Sequence, residues 1–184
     1  MTIAGGGEPA RELAVSLRVR AQLPPDTTPE RRLARAALAA ARVLRHIDPA
    51  PCHVRFRIPS LAGAHRDVVI EAIEDLTDDA VAERLRQHKT MDSVDRAEVR
   101  LELVDLTDLE VEEVALAPSR HPVIALGAPV ARLSPTASGS LTVAVLDTVK
   151  LTLAPGDGTT LETSAALLRS ARESISREMH DDQS

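Results

Sequence analysis

Short runs of alternating apolar residues, three amphipathic stretches set among them and no internal repeat predict an α/β protein. The expected architecture is a two-layer sandwich, a mixed β-sheet with helices packed on a face. At 184 residues, 43% apolar and 27% charged, the chain fits one domain. A chain of this size buries about two-thirds of its unfolded surface and needs neither disulfides nor a structural metal to fold. The core domain is expected over residues 12–179, with a disordered tail at 1–11, where Gly5, Gly6 and Gly7 stand together, and a frayed tail at 180–184.

The elements follow in order. Leu13, Val15, Leu17 and Val19 alternate with Ser16, Arg18 and Arg20 as a half-buried strand. Thr28, Pro29 and Glu30 provide a cap, a first-turn proline and an acidic first turn. The helix Arg31–Ile47 should turn Leu33, Ala37, Ala40, Leu44 and Ile47 inward, and Arg31, Arg35, Arg42 and Arg45 outward. Its alanines favour helix and allow it to lie flat on a sheet. Val54, Phe56 and Ile58 alternate with His53, Arg55 and Arg57 in a second strand. Val68–Ile73 is more continuously apolar, as expected of a strand away from a sheet edge. Thr77 caps a short helix carrying Val81, Leu85 and His88, and Val99, Leu101 and Leu103 mark a fourth strand. The acidic run Asp105–Glu113 reads as a solvated loop or strand edge, and Val123–Leu126 as a fifth strand. Ser134–Ser140 reads as a surface loop before a long strand, Leu141–Leu153. Pro155-Gly156-Asp157-Gly158 is a turn where positive φ is expected at the glycines. Thr159 and Glu162 fit a capping box for a last helix with Leu161, Ala165, Leu168, Arg172 and Ile175 inward.

Several function classes are excluded. Net charge is −6 and the 22 basic residues are scattered, which argues against nucleic acid as a partner. No apolar stretch approaches the roughly 18 residues of a membrane span and no signal-peptide pattern opens the chain, so no membrane partner and a cytoplasmic location are expected. Cys52 is the single cysteine, which excludes multi-cysteine metal scaffolds and fits a small buried residue in a reducing compartment. No phosphate loop, paired-histidine metal motif or Gly-x-Ser-x-Gly elbow is present, and no cofactor and no metal are expected. The six histidines, at 46, 53, 65, 88, 121 and 180, are spread singly, as structural or surface histidines usually are. Arg55 and Arg57 face away from the core with Arg18 and Arg20 on a neighbouring strand. Such a basic sheet face either grips a phosphate or carboxylate or is an ordinary solvated edge.

Pro118-Ser119-Arg120-His121-Pro122-Val123-Ile124-Ala125-Leu126-Gly127-Ala128-Pro129 resembles the "PPQxAILxVGxP" segment of the 2-oxoacid dehydrogenase acyltransferases, the catalytic domains of dihydrolipoamide acyltransferases. Leu151-Thr152-Leu153-Ala154 resembles the family's "LTLS" strand, which leads into "ADHRxxDG", and the helix "TSAALLRSARESI" resembles the helix that follows. The likeness covers residues 97–178; before that it is one of element order. It implies a chloramphenicol-acetyltransferase-like fold and a homotrimer with sites between subunits. An ungapped match puts Asp157 where the family has its general-base histidine, Leu161 at the partner aspartate and Val104 at the oxyanion serine. A carboxylate is too weak a base for a thiol, and valine offers no oxyanion donor.

The resemblance and these departures together imply a small-molecule enzyme repurposed from acyl transfer. It would carry out cyclisation or rearrangement of an aliphatic or polyketide-like substrate in specialised metabolism, with Asp157 catalytic and Arg55, Arg57 and His121 binding substrate. A non-catalytic scaffold subunit is the alternative, and an active coenzyme A-dependent acyltransferase borrowing His121 or His53 is a third. The scarcity of aromatic residues favours a flexible aliphatic substrate over a stacked base.

Overall fold

The computed structural model describes residues 16–25, 27–59, 65–87, 99–135 and 143–177. The two expected tails, His88, His180 and most of the Ser134–Ser140 loop lie outside the described residues. The first strand, β1 (Leu17–Gln22), lies antiparallel to the last, β7 (Val143–Ala154), with Leu17 opposite Leu153. Between them come helix α1 (Pro29–Ile47), the hairpin of β2 (His53–Pro59) and β3 (His65–Ile70), and helix α2 (Asp78–Gln87). Strand β4 (Val99–Asp105) runs parallel to β2, and β5 (Val123–Leu126) parallel to β4. Strand β6 (Val130–Pro135) and helix α3 (Leu161–Ser176) complete the set. The sheet order is β1-β7-β5-β4-β2-β3, with β6 also on β7. It is a mixed sheet with the helices on it, as the sequence predicts.

Strand parity decides which face is covered. Val54, Phe56, Ile58, Leu101, Leu103, Ile124, Leu126, Leu151 and Leu153 all point to one side and pack with the helices in a single core. Helix α1 lies at the centre of the helical layer, between α2 and α3. Its buried alanines let it sit close, and Thr28 accepts from Arg31 N–H as its cap. The other face carries two rows of residues in register: Val69, Arg55, Glu102 and Val123, then Asp67, Arg57, Val104, Ala125 and Thr152.

Five expectations need correction. The third strand ends at Ile70 and is the edge strand, with Val68 and Ile70 buried; Ile73, also buried, begins a separate 3₁₀ turn. Strand β6, mostly left unassigned on the sequence and overlapping the start of the expected Ser134–Ser140 loop, continues the line of β5 along β7 after a Gly127-Ala128-Pro129 interruption. Helix α3 is capped by Thr160, which accepts from Thr163 N–H at 3.1 Å. Thr159 N–H closes a turn onto Gly156 O at 3.0 Å, so it is not available to Glu162 as the expected capping box requires. The buried stripe of α3 is therefore Ser164, Leu167, Leu168, Ala171 and Ile175, with Leu161 63% exposed. On α1, Ile47 at the last turn is 60% exposed, whereas Arg35 is buried, donating to Arg177 O at 3.1 Å and lying 3.5 Å from Asp78. No helix among the described residues is long and apolar enough to cross a membrane.

One polar network is internal to this packing. Arg32 and Asp105, both buried, are bridged by Thr107, whose hydroxyl accepts from Arg32 at 3.2 Å and donates to Asp105. Burial pushes the Asp105 carboxyl above the usual carboxylate range, and the two Thr107 hydrogen bonds and Arg32 act against that shift. A carboxyl raised on folding contributes stability below the unfolded value, lost as pH rises through the folded one. Thr107→Val removes a bond that favours the ionised form and is expected to cost about 1–3 kcal/mol at neutral pH. The deficit should shrink once Asp105 is protonated; urea unfolding of both proteins at pH 7 and in acid checks it.

Candidate ligand groove

After β4 the chain runs as an irregular strap, residues 106–122, over the uncovered face of the sheet before entering β5. Two glycines clamp it. At Gly127 a Cβ would stand 2.0 Å from Glu112 O, so the strap backbone occupies the space a side chain would need. Ala128 N–H donates to Val111 O at 2.8 Å beside this contact. Lys150 Nζ reaches Glu113 at 2.8 Å and Glu112 at 3.6 Å, and Arg18 also pairs with Glu113. The Lys150 hydrogen bond above all, aided by Arg18, lowers the Glu113 carboxyl.

At the other end, a Cβ on Gly156 would lie 2.5 Å from the Cα and C of His121 and 2.6 Å from Pro122 N. Only glycine permits that approach without moving backbone. Ser119 bridges to Gly156 in parallel, and Asp157 N–H is shared between Ser119 O and Arg120 O at 3.2 Å each. Glu102 N–H donates to Pro122 O at 3.0 Å. Of the two turn glycines, Gly158 supplies the positive φ, +72°, and Gly156 the close approach.

Between strap and sheet is an open groove of about 700 Å³. One part of its wall is apolar: Val104, Leu106, Val114, Leu116 and Val123. The polar part holds Arg55, Arg57, Glu102 and His121, so the three residues singled out on the sequence for binding share one cavity. Arg57 NH1 lies 3.1 Å from Glu102 Oε1, and His121 Nε2 lies 3.5 Å from Glu102 Oε2. Arg57 Nε also approaches Asp67 at 3.6 Å. Glu102 is thus held between a guanidinium and an imidazole, and is only 6% exposed. Strand alternation places it on the solvated side of β4. The side is correct, but the strap lies over it, and no local pattern announces a cover arriving from twenty residues downstream.

Asp157 stands elsewhere. Its side chain is exposed and it is not among the residues lining the groove, although its N–H holds the groove-lining segment Ser119–Arg120. Val104 contributes to the apolar wall of the groove. Cys52 is fully buried, and burial pushes its thiol up to about 12, which leaves it unreactive. His53 lies on the same strand face as Arg55 and Arg57, and its Nδ1 is buried without a partner. The described residues contain no group of three or more His, Cys, Asp or Glu arranged to hold a metal ion.

No protein-family model and no curated sequence matches the chain. Solved structures do. A probable dihydrolipoamide acetyltransferase from Listeria monocytogenes superimposes with a TM-score of 0.69 over 92% of this chain and 87% of that one, at 10% identity. The cubic core of a pyruvate dehydrogenase multienzyme complex gives a TM-score of 0.52 over 88% and 81%, at 11% identity. A chloramphenicol acetyltransferase gives 0.51 over 88% and 87%, at 9% identity. At these identities the likeness is one of fold. The chain, a mixed sheet with its helices on one face and a strap across the other, has the chloramphenicol-acetyltransferase-like fold of the dihydrolipoamide acetyltransferase catalytic cores.

Proposed function

We propose that this protein is an enzyme on an acyltransferase fold that has given up acyl transfer. It works as a homotrimer and uses its groove for proton-transfer chemistry, a cyclisation or rearrangement of an aliphatic or polyketide-like small molecule in specialised metabolism. The observation that carries the reading is the pair of His121 and Glu102 in the groove, with Arg57 on the far side of the carboxylate. Glu102 accepts from Nε2–H and fixes the ring, which leaves Nδ1 as the nitrogen that takes a proton. Arg57 holds the other oxygen of that carboxylate, Oε1, at 3.1 Å. The 3.5 Å separation is long, as such pairs commonly are before a substrate is bound.

Acyl transfer lacks support on two counts. The position that matches the family's base histidine is Asp157, on a surface turn, and the position that matches its oxyanion serine is Val104. General-base and oxyanion groups contribute about 10²–10⁴ and 10²–10³ in rate respectively. The unmodified protein is therefore expected to release no thiol from acetyl-coenzyme A above background. The variant combining Val104→Ser, Asp157→His and Leu161→Asp should gain activity. Thiol release by the unmodified protein would return the chain to the acyltransferases.

A direct test does not require the substrate to be identified first. A cyclisation or rearrangement by proton transfer alone, with no group expelled, conserves mass, so chromatography with mass detection of a metabolite extract should show a compound converted to an isomer of equal mass. His121→Ala should slow that conversion by about 10²-fold or more. Glu102→Gln should lower kcat with KM little changed, because the carboxylate orients the base. Asp157→Asn should convert normally; loss of activity there would move the base to the turn, acting in a neighbouring subunit's groove. Binding without any conversion would leave a non-catalytic scaffold subunit. Native mass measurement showing a monomer would refute the trimer.

A further inference from the structure

The polar end of the groove is unevenly satisfied. Arg57 faces two carboxylates, Glu102 and Asp67, and His121 faces Glu102. Arg55 sits in register beside Glu102, yet no carboxylate of the described residues pairs with it. Its Nε is buried and has no hydrogen-bond partner. That nitrogen is closed to a water-sized atom, so a ligand would meet the rest of the guanidinium, which lines the groove with no carboxylate among the described residues paired to it. His53 Nδ1, two residues away on the same strand face, is unpaired as well.

Charge narrows what the partner is. Around the groove, the guanidinium groups of Arg55, Arg57 and Arg120 stand against the carboxylates of Glu102 and Asp67, an excess of one positive charge before His121 is counted. One negative charge balances it. A phosphate dianion would overshoot and would face two carboxylates at close quarters. A carboxylate matches the flat two-pronged face of a guanidinium and brings a single charge. Beyond this end the wall is aliphatic, formed by Val104, Leu106, Val114, Leu116 and Val123, with no aromatic ring for stacking.

Resting on the reading of the groove as a substrate site, we propose that its substrate is an aliphatic monocarboxylate. The carboxylate is anchored on Arg55, and the chain lies along the apolar wall past His121. Arg55 is then the residue that selects the substrate class, and His121 the one that acts on it. The anchor fixes one end of a flexible chain, as a cyclisation requires when the reacting atoms lie further along.

The probes are octanoate, octyl phosphate and octanol, titrated into the full-length protein by calorimetry and followed by the Arg55 Nε–H resonance. Octanoate is expected to bind and to shift that resonance. Octanol and octyl phosphate should each bind at least about tenfold more weakly. Arg55→Gln should weaken octanoate by about tenfold to a hundredfold, the worth of a charge-assisted hydrogen bond, and leave octanol unchanged. The resonance shift and the three-ligand ranking need no variant, so they decide the matter even where Arg55→Gln fails to fold. Equal affinity for octanol and octanoate, tighter binding of octyl phosphate, or an octanoate site that leaves Arg55 unperturbed would each overturn the anchor. An Arg55-dependent octanoate site in a protein without His121-dependent conversion would instead uphold the anchor and refute the enzyme.

Discussion

The close approach of the strap to Gly156 governs the functional half of this molecule. With the backbone of His121 and Pro122 packed where a side chain would stand, the turn after β7 becomes the wall against which the strap is set. The shared hydrogen bonds of Asp157 N–H and the Glu102–Pro122 bond then place His121 over the middle of the sheet. Gly127 does the same at the other end, where Glu112 O takes the place of a Cβ. Two glycines thus hold a segment with little regular structure of its own, and the groove is the space it cannot fill. The helical face of the sheet would pack as it does with or without this arrangement.

That division explains why the two faces differ so sharply. The helical side is a continuous apolar core in which the charged groups are partnered: Arg32 and Asp105 are bridged by Thr107, and Arg35 donates to Arg177 O. Asp105 ends β4 and Thr107 opens the strap, so the same short stretch ties the start of α1 to the point where the strap departs. On the opposite side, five charged or ionisable groups, Arg55, Arg57, Glu102, Arg120 and His121, are concentrated on β2, β4 and the strap, and the buried Nε of Arg55 has no partner. Incomplete pairing beside a sealed core is a common sign of a surface built for a ligand.

Much of this was legible in the sequence because it is local. Alternation at Leu17–Gln22, Val54–Ile58 and Val99–Leu103 depends only on each strand having one buried face, and the Thr28-Pro29-Glu30 start of α1 depends on the first turn alone. What failed depended on neighbours. Val68–Ile73 is apolar enough for a central strand, yet its position at the edge follows from hairpin pairing with β2. Thr159 and Glu162 have the spacing of a capping box, but the Gly156 turn takes the N–H that Glu162 would accept, and Thr160 caps instead. For the site, strand parity puts Arg55 and Arg57 on one face, and His121 lies within the stretch, Pro118–Pro129, that carries the family resemblance. Glu102 carries no such local mark because its meaning comes from register: it lies opposite Arg55 on one side and Val123 on the other. Asp157 stands out through alignment, and its backbone, not its exposed side chain, is what the structure connects to the groove.

The clamp is most directly tested by hydrogen exchange on the Gly156→Ala protein. If Gly156 sets the strap, the Asp157 and Glu102 N–H groups, bonded to Ser119, Arg120 and Pro122, should lose protection together. The amides of Val54, Phe56 and Leu103 in the helical core should keep theirs. Unchanged exchange at Asp157 and Glu102, or a uniform loss across the core, would contradict the account: the first would mean that the turn does not hold the strap, the second that the two faces are not separable.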